Sequence, residues 1–222
     1  MTGAPKPSAT VVVVRDAPTG LELLLLQRSP RKDGKPGPWV FPGGKIEPQD
    51  HRESGDDLAI ARRAAVRETH EEAGLALPST ELVPISRWIT PDIAPRRFDT
   101  WFFLGAAQPD HAVRVDGGEI CDHRWLPPQQ ALEAHVAREV RLAPPTFVTV
   151  TWLTQYSHAR AAITELGAEP LLTFRPKIFP IEGGACILYP GDAGYDADDP
   201  ELLGARHRLW SLGGEYRYER EG

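Results

Sequence analysis

Glu68, Glu71 and Glu72 stand within five residues of one another, preceded by Arg67 and followed by Gly74. In a helix about 100° separates successive residues, so with Glu68 at zero, Glu71 falls at about −60° and Glu72 at about +40°. Three carboxylates then share one narrow face, while Ala65, Val66, Thr69 and Ala73 occupy the adjoining arc that must meet a core. Glu68 and Glu72 form a like-charge i,i+4 pair, which costs an isolated helix a few tenths of a kcal/mol. Arg67 can reach Glu71 at i+4, but Ala64 holds the position four before Glu68, so one cation answers three anions. A hard divalent ion would balance such a face, since Mg²⁺ prefers carboxylate oxygens and water and is commonly completed by substrate phosphates. The alternative is a solvated acidic stripe. His70 falls at about 200° on the same wheel, off the carboxylate face and toward solvent.

The elements that must carry these acids are legible around them. Residues 57–73 form the best helix in the chain, with Ser54, Asp56 or Asp57 as N-cap and Gly74 as the left-handed residue that ends it. Upstream, 8–15 and 21–28 are aliphatic runs separated by Asp16-Ala17-Pro18-Thr19-Gly20, which predicts a hairpin. Their near-continuous apolarity implies burial on both faces. A short strand over 39–41 runs into Pro42-Gly43-Gly44-Lys45, where the glycines permit close backbone approach or simply a tight turn. Further strands are expected over 82–89, 98–104 and 121–126, and a proline-opened helix over 128–140. One longer helix is expected over 146–166. Gly183-Gly184 and Gly213-Gly214 each sit between strand-like runs, over 177–189 and 206–217, and predict two hairpins. Strands followed by a helix, more strands and helices argue for a mixed sheet flanked by helices.

Composition narrows the function classes. At 222 residues the chain fits one domain plus a substantial extension. Its 25 basic against 31 acidic residues give a net charge of −6, which argues against a nucleic-acid polymer as partner. Cys121 and Cys186 cannot build a disulfide framework, so a reducing, cytoplasmic setting is expected. Residues 1–7 contain no apolar leader segment, and no run approaches the ~18 apolar residues of a membrane span. Gly43-Gly44-Lys45 is followed by Ile46 and lacks the earlier glycine of a P-loop. No Gly-x-Ser-x-Gly elbow is present, and Cys121 with His123 has no second pair with which to hold zinc.

Taken together, the Gly-Gly segment and the acidic helix resemble the Nudix box, G-x5-E-x7-R-E-U-x-E-E-x-G-U. Every element from Arg67 to Leu75 matches, with Thr69 and Leu75 in the U places. The front half departs: Gly44 lies 23 residues before Arg67 where the pattern allows 14, so nine extra residues intervene. Counting forward from Gly44 places Asp50 at the first acid, counting back from Arg67 places Ala59 there, and Asp50, Glu53 and Asp57 stay open. Residues 87–91, 97–103 and 188–192 resemble the Nudix branch that includes a peroxisomal coenzyme A diphosphatase, whose members also carry an insertion in the box. Residues 24–29 followed by 41–44 are similar to the motif of coenzyme A-cleaving members, with different spacing. The resemblance is strong over 9–130 and thinner beyond.

That resemblance implies a Nudix α/β/α sandwich with a mixed sheet over 8–140, then a C-terminal helix and hairpin extension over 141–222 packed onto it. It implies a Mg²⁺- or Mn²⁺-dependent hydrolase of nucleoside diphosphates linked to another group, such as coenzyme A, with water attacking phosphorus. Glu71 and Glu72 would be metal ligands, Glu68 a ligand or the residue that orients water, and the Gly44 carbonyl a further ligand. Arg67 would orient the acids. Glu119, six residues before Trp125, matches a loop acid that serves some members as general base or extra ligand; its alternative is an exposed loop glutamate. Gly43 would let substrate approach, and Arg28 and Arg97 could bind phosphate or serve as ordinary salt-bridge arginines. Trp88 or Trp101 could stack a base, and the C-terminal hairpins could form a homodimer edge. The rival reading is a non-catalytic nucleotide sensor of the same fold, against which the intact Arg-Glu-x-x-Glu-Glu set speaks. An isoprenyl diphosphate isomerase would need an active-site cysteine, and neither cysteine has such a context.

Overall fold

A computed structural model describes residues 3–30, 34–108 and 111–221. The middle of the segment between residues 29 and 38 and the first two residues lie outside the described residues.

The two aliphatic runs form strands β1 (Lys6–Ala17) and β2 (Gly20–Arg28), joined by the expected hairpin. Alternate side chains of a strand point to opposite faces, and here both faces are buried. Val11, Val13, Leu24 and Leu26 enter one core, whereas Val12, Val14, Leu23 and Leu25 enter the other. Each such side chain contributes about 1.5–3 kcal/mol on burial, so this pair anchors the molecule. Around it lie β3 (Trp39–Val40), β4 (Gly43–Lys45), β5 (Val83–Ile89), β6 (Phe98–Ala106), β7 (Ile120–Leu126) and β8 (Leu172–Phe174). The path through this eight-stranded sheet is β3-β2-β1-β6-β5-β8, with β4 paired to β1 and β7 to β2. β1 runs parallel to β6, and β5 parallel to β8; the other pairs are antiparallel.

Helix α1 (Asp57–Ala73) covers one face through Ala61, Ala64, Ala65 and Ala73, whose small side chains let it lie close to the sheet. Of the cap candidates, Asp56 is the one used: its carboxylate accepts the Ala59 N–H at 2.8 Å. Gly74 ends the helix at φ 68°. Helices α2 (Pro128–Val136), α3 (Pro144–Leu153) and α4 (Ala159–Ala168) cover the opposite face, which completes an α/β/α sandwich. A second, four-stranded sheet, β9 (Lys177–Ile181), β10 (Gly184–Leu188), β11 (His207–Leu212) and β12 (Glu215–Arg220), holds both expected hairpins. Its Ile187, Tyr189 and Leu209 join the same core as α3 and α4. Among the described residues no helix is long and apolar enough to cross a membrane.

Two expectations are corrected. The helix expected over 146–166 is two helices: Asp16, from the β1–β2 hairpin, accepts the Ala159 N–H at 2.8 Å and so starts α4 afresh. The helix expected over 128–140 stops at Val136, and the chain turns through Arg138 at φ 64° to bury Val140. Of the two readings of Gly43-Gly44, close backbone approach is the one realised: the pair lies in extended strand β4, paired through Thr10↔Gly43 and Ala9↔Gly44.

Candidate active site

The geometry centres on Arg67. Its guanidinium donates to both oxygens of Asp50 at 3.1 and 2.9 Å, to Glu68 at 2.8 Å, to Glu71 at 3.1 Å and to the Lys45 carbonyl at 3.0 Å. Asp50 is buried, and the Glu47 N–H also donates to it at 2.8 Å. Burial pushes its carboxyl up, but the Arg67 and Glu47 hydrogen bonds win and hold it below the usual carboxylate range. Asp50 is therefore the acid that Arg67 grips. Glu53 offers Arg63 only its backbone carbonyl, and Asp57 lies exposed in the first turn of α1.

The three helix glutamates share the expected face but not one environment. Glu71 is exposed, Glu68 half-buried and Glu72 buried, while His70 lies exposed on the far side as the wheel implies. Glu72 receives the Gly43 N–H at 2.9 Å and has no ion-pair partner of its own among the described residues. Burial and the charges of Glu68 and Glu119 push its carboxyl up to about 7, against the pull of Gly43 and Arg28. Burial, with Glu71 and Glu119 nearby, also raises Glu68 in spite of Arg67. A side chain at Gly44 would collide with the Glu68 carboxylate, and one at Gly43 would meet Thr10 and the Ala9 carbonyl. Gly43 therefore requires glycine through close approach to the backbone, and a side chain at Gly44 would displace the Glu68 carboxylate.

Glu119 comes from the other side of the site. Asp116 accepts the N–H groups of Glu119 and Ile120 at 3.0 and 2.8 Å, and Ser29 donates through its hydroxyl to Gly118 at 2.6 Å. Arg28 forms an ion pair with Glu119. The loop acid is thus anchored at both ends, and Arg28 is its partner rather than a free cation.

Glu68, Glu119, Arg28, Gly43 and Gly44 line one cleft of about 850 Å³, with Arg67, Glu71 and Glu72 set beside it. Most of its wall is apolar. Trp88 and Phe102 come from the main sheet, Pro144 from the start of α3, and Ile178, Ile187 and Tyr189 from the second sheet. Arg97 does not line this cleft. It pairs with Asp92 and donates to the Thr90 carbonyl at 3.3 Å, whereas its neighbour Arg96, which the sequence reading passed over, does line it. Phe174 lies flat on one face of Trp88 at 3.8 Å, and Trp101 lies outside the cleft beneath Arg87 at 5.0 Å.

A family model described as the NUDIX domain matches residues 5–145. The chain belongs to the NUDIX family. Its Nudix box is interrupted by the 3-10 turn Pro48–His51 and the segment before α1, and Arg67 reaches across that insertion to Asp50. The chain is 25% identical to acyl-coenzyme A diphosphatase NUDT19 of Homo sapiens, over 83% of this chain and 74% of that protein. It is 30% identical to the Xenopus laevis protein of the same name, over 56% of this chain but only 34% of that longer relative. The crystal structure of a NUDIX hydrolase from Alicyclobacillus acidocaldarius superposes with a TM-score of 0.67 at 26% identity, covering 77% of this chain and all of that one. The Nudix diphosphate hydrolase expected from the sequence is the class these relatives carry in their names.

The donor set suits a hard divalent cation. It offers carboxylate oxygens and a backbone carbonyl, and it keeps Glu72 buried beside two further acids without an ion-pair partner among the described residues. Among the described residues no three acidic, thiol or imidazole groups already stand together as a metal cage; Arg67 draws Glu68 and Glu71 toward itself.

Proposed function

We propose that this Nudix protein hydrolyses the diphosphate of coenzyme A and its acyl thioesters in a Mg²⁺- or Mn²⁺-dependent reaction. The observation that carries this reading is the juxtaposition of Glu68 and Glu119 with a large apolar cleft walled partly by the second sheet. Coenzyme A joins a nucleoside diphosphate to a long, uncharged arm, and the cleft offers acids at one side and an apolar channel beyond. The names of the human and Xenopus relatives support the same class.

Glu68, Glu71, Glu72 and the Gly44 carbonyl would hold the cation. When bound, that ion would neutralise charge on the diphosphate oxygens and lower the barrier to attack at phosphorus. The chain's own groups do the positioning. Arg67, clamped by Asp50, fixes Glu68 and Glu71. Gly43 fixes Glu72 through its N–H. Glu119, held by Arg28, is an exposed carboxylate at the cleft wall, suited to take a proton from the attacking water at its free oxygen. The apolar walls exclude other water.

A substrate panel with Mg²⁺, scored by product mass, tests the reading: coenzyme A, an acyl-coenzyme A, ADP-ribose, dinucleotides and nucleoside triphosphates. Cleavage of the coenzyme A compounds to 3′-phospho-AMP and a phosphopantetheine is expected. Turnover confined to the other compounds would overturn it. Glu71→Gln should lower kcat by about 10²-fold or more while leaving the unfolding midpoint unchanged, because Glu71 is exposed. Full activity in that variant would remove the acidic face from the mechanism.

A further inference from the structure

A second cavity, of about 440 Å³, adjoins the apolar cleft. Its wall carries four basic residues, Lys6, Lys45, Arg96 and Arg97. Lys45, Arg96 and Phe98 belong to both walls, so this basic cavity shares an edge with the cleft that holds Glu68. The strand pairing accounts for that continuity. Lys6 on β1 is level with Phe98 on β6, and Ser8 is level with Lys45 on β4. Residues two apart on a strand share a face about 7 Å from each other. Ser8 lines the cleft, so Lys6 continues the same surface outward.

The four cations are not equivalent. Arg97 is committed to Asp92 and to the carbonyls of Thr90 and Gly3. Lys6, Lys45 and Arg96 have no carboxylate partner among the described residues. Three uncompensated positive charges therefore ring one hollow in a chain whose net charge is −6. A polymeric nucleic acid would need a longer basic stripe than this. A single phosphate does not: a monoester carries about −1.5 to −2 charge at pH 7, and Lys and Arg donate strong charge-assisted hydrogen bonds to it.

Position then selects the phosphate. Lys45 directly follows Gly44, and its own carbonyl accepts from Arg67, so the basic edge begins one residue from the acidic cluster. In coenzyme A the ribose that bears the 5′-diphosphate also bears a 3′-phosphate. We infer that the cavity formed by Lys6, Lys45 and Arg96 is the subsite for this 3′-phosphate, and that it selects 3′-phosphorylated nucleotides over those ending in a plain ribose. The inference rests on the coenzyme A reading above and adds the group that would discriminate coenzyme A from ADP-ribose and its like.

The test compares wild type with the double variant Lys6→Ala/Arg96→Ala, both side chains being exposed. Wild type should show a kcat/KM for coenzyme A about tenfold or more above that for 3′-dephospho-coenzyme A, a difference of about 1.4 kcal/mol. In the double variant that ratio should fall toward one, chiefly through KM. A wild-type ratio near one, or a ratio unchanged in the variant, overturns the subsite while leaving the hydrolase reading intact. A binding titration separates the two ideas further. Adenosine 3′,5′-bisphosphate should bind wild type about tenfold tighter than AMP, with the advantage lost in the variant. Equal binding of both nucleotides by wild type overturns the subsite whether or not coenzyme A is hydrolysed. Tighter binding of the bisphosphate without hydrolysis of coenzyme A sustains the subsite and overturns the substrate reading instead.

Discussion

Asp50 shows how a single residue escaped a motif. The spacing between Gly44 and Arg67 exceeds the Nudix pattern by nine residues, so counting from either end gave Asp50 or Ala59, and Glu53 and Asp57 stayed open. Spacing measures distance along the chain, whereas an ion pair needs distance in space. The insertion loops out, and the 3-10 turn Pro48–His51 returns Asp50 to within 2.9 Å of Arg67. The helix acids were legible because one face of α1 fixes them, whereas Asp50 was legible only as one of three candidates because it comes from an irregular segment. Its removal has a defined consequence. Asp50→Asn keeps the shape but removes the charge that anchors Arg67, and a hydrogen bond to a charged group contributes about 1.5–3 kcal/mol. The variant should lose about that much stability in urea unfolding. It should also lower kcat more than it raises KM, since Asp50 meets Arg67 and not the cleft. A variant with wild-type kcat would show that Arg67 needs no anchor.

At the scale of elements, aliphatic runs, helix caps and Gly-Gly turns identified β1, β2, α1 and both C-terminal hairpins because each is a local signal. They missed the boundaries that a distant residue imposes. The break between α3 and α4 is written at Asp16, more than 140 positions earlier. Strand β8 is three residues long and exists because β5 offers it an edge. Segment 188–192, read as a family likeness, has a structural use at its last residue. Asp192 accepts Arg208 at 2.7 and 2.6 Å and the N–H groups of His207 and Gly194 at 2.9 Å each. Burial alone would raise its carboxyl, yet these donors hold it at about 2. The pair fastens the loop after β10 onto β11, beside the wall that supplies Ile187 and Tyr189 to the cleft. Arg208→Met would strand Asp192 in the interior without its cation, a change that costs about 3–5 kcal/mol. The unfolding midpoint should fall accordingly, and activity on acyl-coenzyme A should fall more than activity on free coenzyme A as the second sheet loosens. Wild-type stability in this variant would mean that the pair contributes no more than an exposed one.

For the whole molecule, the two cores meet at the β1–β2 hairpin, and the C-terminal sheet is tied in by aromatic packing that includes two buried histidines. His135 accepts the Leu142 N–H through Nδ1 at 3.2 Å and stacks on Tyr216. His207 meets the Pro190 carbonyl through Nδ1 at 2.7 Å and packs against Phe174 and Tyr189. Burial lowers both imidazoles below their ordinary value, overriding the opposing pull of neighbouring hydrogen bonds. Above about pH 6.5 neither folded nor unfolded chain protonates them. As pH falls through that value the unfolded chain takes up protons that the folded one refuses, so stability is lost on acidification. Glu72 works the other way. Its carboxyl is raised to about 7, so the folded chain holds a proton that the unfolded one releases, and that share of stability is lost as pH rises from about 4.5 toward 7. The two effects oppose each other in one window, which makes the net slope of stability against pH a poor readout. The difference between wild type and His207→Gln isolates one histidine, because the glutamine cannot take a proton while the Glu72 contribution is shared. Urea unfolding at pH 7.5 and 5.5 should show the advantage of wild type over His207→Gln shrinking at the lower pH. An advantage that stays constant between the two would mean that His207 is protonated as readily in the folded molecule as in the unfolded chain, and that its burial carries no linkage.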